Sequence, residues 1–382
     1  MSNVRGTLSF WLIFFSAFAA LLWLFKNLGD LRTFQDILAA SAHLDVGWYA
    51  KIAASGYSVD PYAIDGQSTV FFPLYPLLAA PLIHFLSLDP LLALHIVQKT
   101  SLLLMVYLLY RWCRAEKLVP DTALLSLVLH PAWVFLLVPY GETVYLSCLF
   151  FLLIAWQKKH AGMFFAGALL LGLSRPTGLF LLPAAGLTMV PLILEGLQTV
   201  RRGQSKLRKI LDLGALQRLV SDKVFTTHMR VLCFGILGSL TAILVVALVM
   251  HLSVGDWFAF YSYRSMWKED PGFHNFLPVV KLTFGSNFPR LFVVWFALWG
   301  CFLLFRSRRI FEGSLCAVSI LLPLYQSKMG DMVRYSLCAA PAWIMFARSL
   351  ESRRGVQLLF FGISAMFGVF FCVRWLARGW VG

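Results

Sequence analysis

The chain has 382 residues, of which 59% are hydrophobic and only 13% charged, against about 25% charged in soluble domains. Repeated apolar runs of roughly 17–25 residues, each bounded by charges or turn signals, exclude a soluble globular domain, and their continuity excludes the alternating strands of a barrel. The net charge of +15 would suit nucleic acid, but the cations sit in short segments between apolar runs, where excess Lys and Arg marks cytoplasmic loops, so no nucleic-acid partner is expected.

In chain order, the first run, Thr7–Phe25, follows Arg5 and continues into Lys26 and Asn27 with no small-residue cleavage site; it reads as a retained helix. The segment 26–90 holds six acids (Asp30, Asp36, Asp45, Asp60, Asp65, Asp89) against Lys26, Arg32 and Lys51, and is expected outside. Within it, Leu44, Trp48 and Ile52 recur every four residues beside a row of Asp45, Tyr49 and Ala53. This predicts a short amphipathic helix at the interface, ended by Gly56. Phe72–Leu86 would be only about 22 Å long as a helix, against a ~30 Å hydrocarbon core, and contains Pro73, Pro76 and Pro81; it is expected to be re-entrant or interfacial. Leu91–Tyr110 is long enough to span.

Further spans are predicted at Ala123–Val138, Thr143–Trp156, Ala161–Ser174, Gly178–Leu194, Val231–Leu252, Leu291–Phe305, Phe311–Tyr325, Val333–Phe346 and Gln357–Val373. The result is an all-α polytopic protein of about eleven transmembrane helices in a single domain, with an outer loop at 26–90, a basic cytoplasmic loop at 195–230 and a second outer loop at 253–290. The basic clusters Arg111/Arg114/Lys117, Lys158/Lys159, 201–230, Arg306/Arg308/Arg309 and Arg348/Arg353/Arg354 then all fall on the cytoplasmic side. Seven dispersed cysteines without metal spacing read as small buried hydrophobes.

With this threading the remaining polar residues gather on the outer side. An ionisable group at membrane depth costs about 2.5–3.5 kcal/mol on insertion scales, so such groups usually have a task. Asp45 reads locally either as a helix cap or as a reactive carboxylate. Trp48, Tyr49 and Tyr57 read as interfacial aromatics or as a wall for a sugar ring. Glu142, after Pro139, complements a helix N-terminus or serves a substrate. Arg175 snorkels to headgroups or places its fork on phosphate oxygens; Lys268 and Arg334 are further outer cations able to meet the same anion. Acids, aromatics and phosphate-compatible cations on one membrane face suit sugar transfer from an anionic lipid to a hydroxyl.

Six stretches also carry a resemblance. LDVGWYAKIAASGY (Leu44–Tyr57) resembles the first-loop motif WDxxWYxxIAxxGY of the PIG-V-like mannosyltransferases, and FFPLYPLL (Phe71–Leu78) follows it at the family's spacing. LHPAWVFLLVPYGETVYL (Leu129–Leu146), LSRPTGL (Leu173–Leu179), DWFAFYSYRSMW (Asp256–Trp267) and VRYSLCAAP (Val333–Pro341) resemble later family motifs in the same order. Two positions depart from the pattern: Leu44 stands where the family has Trp, and His130 where it has Asn.

The resemblance implies a GT-C-type integral membrane glycosyltransferase that moves a hexose, with mannose the implied sugar, from a polyprenyl-phosphate donor to a glycan or glycolipid acceptor at the non-cytoplasmic face. Asp45 would then be the general base of an inverting transfer. Arg175, helped by Lys268 or Arg334, would stabilise the leaving phosphate. Glu142 and Asp65 would orient sugar hydroxyls, while Trp48, Tyr49, Tyr57, Tyr75 and Trp267 would shape the pocket. No Gly-rich nucleotide loop is visible. No cofactor is required, although Asp45, Asp65 and Glu142 could supply oxygens to a divalent metal. Short loops and the absence of an ER-retention signal fit a bacterial plasma membrane, with an ER membrane as the alternative. The competing function is a transporter or flippase of a lipid-linked saccharide, against which stands the lack of internal repeats.

Overall fold

The computed structural model describes residues 2–59, 68–202, 222–262, 288–326 and 332–377. Among these the secondary structure is helical throughout. Six helices are long and apolar enough to cross a bilayer: α1 (Ser2–Leu28), α5 (Pro90–Ala115), α10 (Leu181–Arg202), α11 (Lys223–Val254), α13 (Phe288–Arg306) and α17 (Arg354–Leu376). They correspond to six of the eleven expected spans. Three more expected spans are single but shorter helices, α8 (Glu142–Gln157), α9 (Ala161–Ser174) and α14 (Ile310–Gln326), of 16, 14 and 17 residues.

The last two expected spans are not single helices. Ala123–Val138 divides into α6 (Pro120–Val128) and α7 (Val134–Leu137), and Val333–Phe346 into α15 (Met332–Cys338) and α16 (Ala340–Ser349). The first break contains Pro131, and the second falls just before Pro341, which sits in the first turn of α16; a proline has no N–H to bond back to a preceding turn, so it is tolerated only where a helix starts anew. In a membrane the freed carbonyls need other partners. The carbonyls left open at the end of α7 find them on α5: Gln98 Nε2 donates to the Leu136 carbonyl at 2.5 Å, and Lys99 Nζ to the Leu137 carbonyl at 2.5 Å. At the first break His130 Nδ1 accepts from the Ala132 N–H at 2.9 Å.

The short helices of the first loop are α2 (Phe34–Ser41), α3 (Asp45–Ser55) and α4 (Leu74–His84), and the one-turn α12 (Ala259–Ser262) follows α11. Thr33 and Asp36 close a reciprocal capping box at the start of α2. Helix α4 has 11 residues, about 16 Å at 1.5 Å per residue, too short to cross.

Helix α8 is apolar all round and buried over nearly its whole length, as a central helix must be. It packs between α5 and α9. Helix α9 meets α11 along small residues, which let the backbones approach where apolar burial drives nothing. A Cβ on Gly238 would lie 2.4 Å from the Phe165 carbonyl oxygen, and one on Gly172 would lie 2.7 Å from the Ala242 Cβ. Gly238→Ala is therefore expected to force the helices apart and cost about 1–3 kcal/mol. Gly186→Ala, whose new Cβ meets nothing within 4 Å, should hold or raise stability. Thermal midpoints in one detergent check the contrast.

The bundle has two polar ends. At one, Arg309 lies 3.0 Å from Glu312 and 3.3 Å from Glu116, and the Gln157 amide donates to Glu116, tying the ends of α5 and α8 to the start of α14. Most of the short basic turns lie here. The other end receives the start of α3, the start of α8, the end of α9 and the start of α15.

Candidate active site

Helix α3 begins at Asp45, and its N-cap is Leu44, at φ 57 and ψ −131 with no side-chain cap bond. A non-glycine residue at such angles costs roughly 1–3 kcal/mol and persists where its surroundings over-determine it. Asp45 is thus the first helical residue and not the N-cap. The local cap reading gives way to a long-range contact: Asp45 Oδ2 accepts from Arg334 Nη1 on α15, 289 positions along the chain. Asp45 is only 6% exposed.

The face that α3 buries is the row of Asp45, Tyr49 and Ala53, together with Val46 and Ile52. The expected apolar row is only partly enclosed, for Leu44 and Trp48 are half-buried. Trp48 stacks on Phe71 at 6.2 Å between ring centroids, under the Lys51 ammonium at 5.6 Å. Tyr49 stands edge-on to Phe71 at 5.2 Å and to Tyr75 at 5.0 Å. Its hydroxyl lies 3.3 Å from where a Cβ on Gly141 would sit, so glycine there lets the phenol reach the start of α8. Burial pushes the Tyr49 phenol above its ordinary titration range, opposed by Arg175, and it remains a neutral hydroxyl. Tyr57 donates to the Phe71 carbonyl at 2.8 Å, and the fully buried Tyr75 donates to the Leu94 carbonyl at 3.0 Å. These two hydroxyls fix the loop and α4, and the two aromatic bodies form a wall.

Beside that wall runs a line of four charges. Arg334, which pairs with Asp45, also places its Nε 3.6 Å from Glu142 Oε1. Glu142, the first residue of α8, is 1% exposed and accepts from Arg175 Nη1, just past the end of α9. Glu142 therefore does more than complement its helix N-terminus, and Arg175, 6% exposed, is turned inward rather than to headgroups. Among the described residues the order Asp45–Arg334–Glu142–Arg175 alternates sign and sums to zero, the arrangement that lets buried charges persist. Glu142 Oε2 is buried with no hydrogen-bond partner among the described residues.

Tyr140 joins two of the four and was not singled out from sequence. Its hydroxyl accepts from the Asp45 N–H at 3.2 Å, and its ring lies 5.7 Å from the Arg334 guanidinium. Lys99 and Gln98 were also missed, although a lysine inside the apolar run Leu91–Tyr110 was a visible signal. They hold the carbonyls that lead into the Tyr140–Glu142 turn. Asp65, Trp267 and Lys268 lie outside the described residues. Among the described residues no group of three or more His, Cys, Asp or Glu side chains is placed to hold a metal ion.

No protein-family model matches the chain, and no curated protein matches it. Among solved structures, it is similar to the crystal structure of an Archaeoglobus fulgidus oligosaccharyltransferase in the apo form, at 13% sequence identity and a TM-score of 0.45, over 96% of this chain and 56% of that one. The chain thus spans little more than half the length of that protein.

Proposed function

We propose that this protein is a GT-C-type integral membrane glycosyltransferase of the PIG-V-like kind, which transfers a hexose, mannose by resemblance, from a polyprenyl-phosphate donor to a glycan or glycolipid hydroxyl. The observation that supports the reading is the convergence of four separate motifs on one line of charge. Asp45 comes from LDVGWY, Glu142 from YGETVY, Arg175 from LSRPTG and Arg334 from VRYSLC. The sequence resemblance makes no use of spatial proximity, so their meeting is independent support. The site also lies at the end of the bundle away from most of the basic turns, which by the positive-inside rule is the non-cytoplasmic end.

In this reaction Asp45 takes the proton of the acceptor hydroxyl as its oxygen bonds to the anomeric carbon. The bond from that carbon to the donor phosphate oxygen breaks with inversion, and polyprenyl phosphate leaves. Arg175 meets the charge that grows on the phosphate, in a site largely closed to water where such stabilisation is strong. Glu142 holds Arg175 in place, and the half-buried Trp48, stacked on Phe71, borders the place of the sugar. Asp65, Trp267 and Lys268 complete the proposed pocket, with the Tyr49, Tyr57 and Tyr75 rings behind it. The membrane is a bacterial plasma membrane, or the ER membrane in a eukaryote.

The test is purified protein in liposomes with radiolabelled polyprenyl-phosphate hexoses, nucleotide sugars as competing donors, and mixed glycan and glycolipid acceptors. Label should pass to acceptor with release of polyprenyl phosphate, and none should come directly from nucleotide sugar. Movement of the intact lipid-linked sugar across the bilayer without transfer would replace this reading with that of a transporter.

A further inference from the structure

The line of charge has a property that the transfer reaction alone does not require: one oxygen of its base is held in an ion pair. A carboxylate beside a cation is a weaker base, and Asp45 Oδ2 is bound by Arg334 Nη1 while its side chain is 8% exposed. We infer that Arg334 is an exchangeable restraint on the basicity of Asp45, released only when the phosphate of the donor draws the guanidinium away, so that donor binding precedes reaction of the acceptor. The inference rests on the reading of the protein as a polyprenyl-phosphate-dependent transferase and adds the order of events at that site.

Three observations carry it. Arg334 has somewhere to go, for its Nε already lies 3.6 Å from Glu142 Oε1 and its guanidinium 5.7 Å from the Tyr140 ring. A small rotation away from Asp45 therefore keeps one carboxylate and one aromatic face as partners. Next, Asp45 is held from two sides that do not depend on the pair: its N–H is bonded to Tyr140 and its row on α3 is packed inward. The carboxylate stays in place when the guanidinium leaves. Last is the charge sum. Among the described residues two carboxylates and two guanidinia cancel, and a phosphodiester brings one more negative charge. A fork-shaped guanidinium matches phosphate oxygens as well as it matches a carboxylate. Once it is shared with phosphate the site carries net negative charge, and a carboxylate beside uncompensated negative charge binds a proton more readily. Donor binding thus frees Asp45 Oδ2 and raises the carboxylate's drive to take the acceptor's proton.

Dicyclohexylcarbodiimide, which modifies carboxyl groups able to take a proton, reads the state of Asp45 when the adduct is mapped by mass spectrometry. The protein is held in nanodiscs with no addition, with undecaprenyl monophosphate, or with undecaprenol. Modification of Asp45 should rise several-fold with the phosphate and not with the alcohol. Arg334→Lys, which keeps the charge and loses the fork, should be modified quickly even without lipid. Equal modification with and without bound undecaprenyl monophosphate in the wild type overturns the inference, and does so whether or not the variant folds. If the same preparation still transfers labelled hexose, the proposed restraint falls and the transferase reading stands. If the lipid phosphate does not bind and no hexose moves, both fall.

Discussion

Asp45→Asn is expected to lower hexose transfer by about 10²–10⁴-fold, the usual contribution of a positioned acid or base, with donor KM unchanged or lower. Asparagine is the right replacement because it keeps the shape. Its amide oxygen still accepts from Arg334, its backbone N–H still meets Tyr140, and α3 begins at the same residue. What it loses is the capacity to hold a proton taken from the acceptor. It also removes one negative charge from a line that sums to zero, and an anionic donor should bind no worse to the result. A fall in kcat without a rise in donor KM marks an interaction made in the transition state rather than in the ground state. Single-turnover transfer from labelled donor, with thermal unfolding to show that the fold is kept, makes the measurement. A variant with the wild-type rate would remove Asp45 from the chemistry.

The bundle was legible because a bilayer demands long apolar runs, and composition records them directly. Hydropathy passes straight through the breaks at Pro131 and Pro341, however, for the residues on both sides of each break are apolar. A helix can end inside an apolar run only where its last carbonyls find donors. For α7 those donors are Gln98 and Lys99 on another helix, more than thirty positions away. Helix α3 teaches the same lesson at closer range. Its length and its end at Gly56 followed from local spacing, but the buried face is the row with Asp45 and Tyr49, because Arg334 and Tyr75 wait on that side. A four-residue period names two adjoining rows and cannot choose between them without their partners. The candidates themselves were found one at a time as polar groups in the wrong solvent, whereas their pairing, Asp45 with Arg334 and Glu142 with Arg175, is a fact about tertiary structure. His130 replaces the asparagine of the resembled motif. Its Nδ1 accepts from the N–H two residues on, which is the bond an asparagine makes in an Asx-turn, so the substitution preserves the local geometry.

The pair of Glu142 and Arg175 supports the second large prediction, on stability. Both side chains are nearly closed to solvent, at 1% and 7% exposure. Removing one partner of a buried pair leaves the other as an uncompensated charge, and the cost is about 3–5 kcal/mol. Glu142→Gln and Arg175→Met should each lower the unfolding midpoint strongly. Replacing both charges by neutral groups of similar volume is a different experiment, since a buried ion pair and a packed apolar pair are often nearly equal in stability. Glu142→Gln with Arg175→Met should recover much of the loss, and the coupling between the two sites should fall far from additivity, as for side chains in one network. Asp45 and Arg334 remain as a balanced pair in that double variant, so no stray charge confuses the result. Additive effects of the two substitutions on the midpoint would show that Glu142 and Arg175 do not act as a pair. If instead the double variant is stable and transfers no hexose, folding does not explain why the two charges are present. Their place in the line is then explained by the phosphate that Arg175 is proposed to meet.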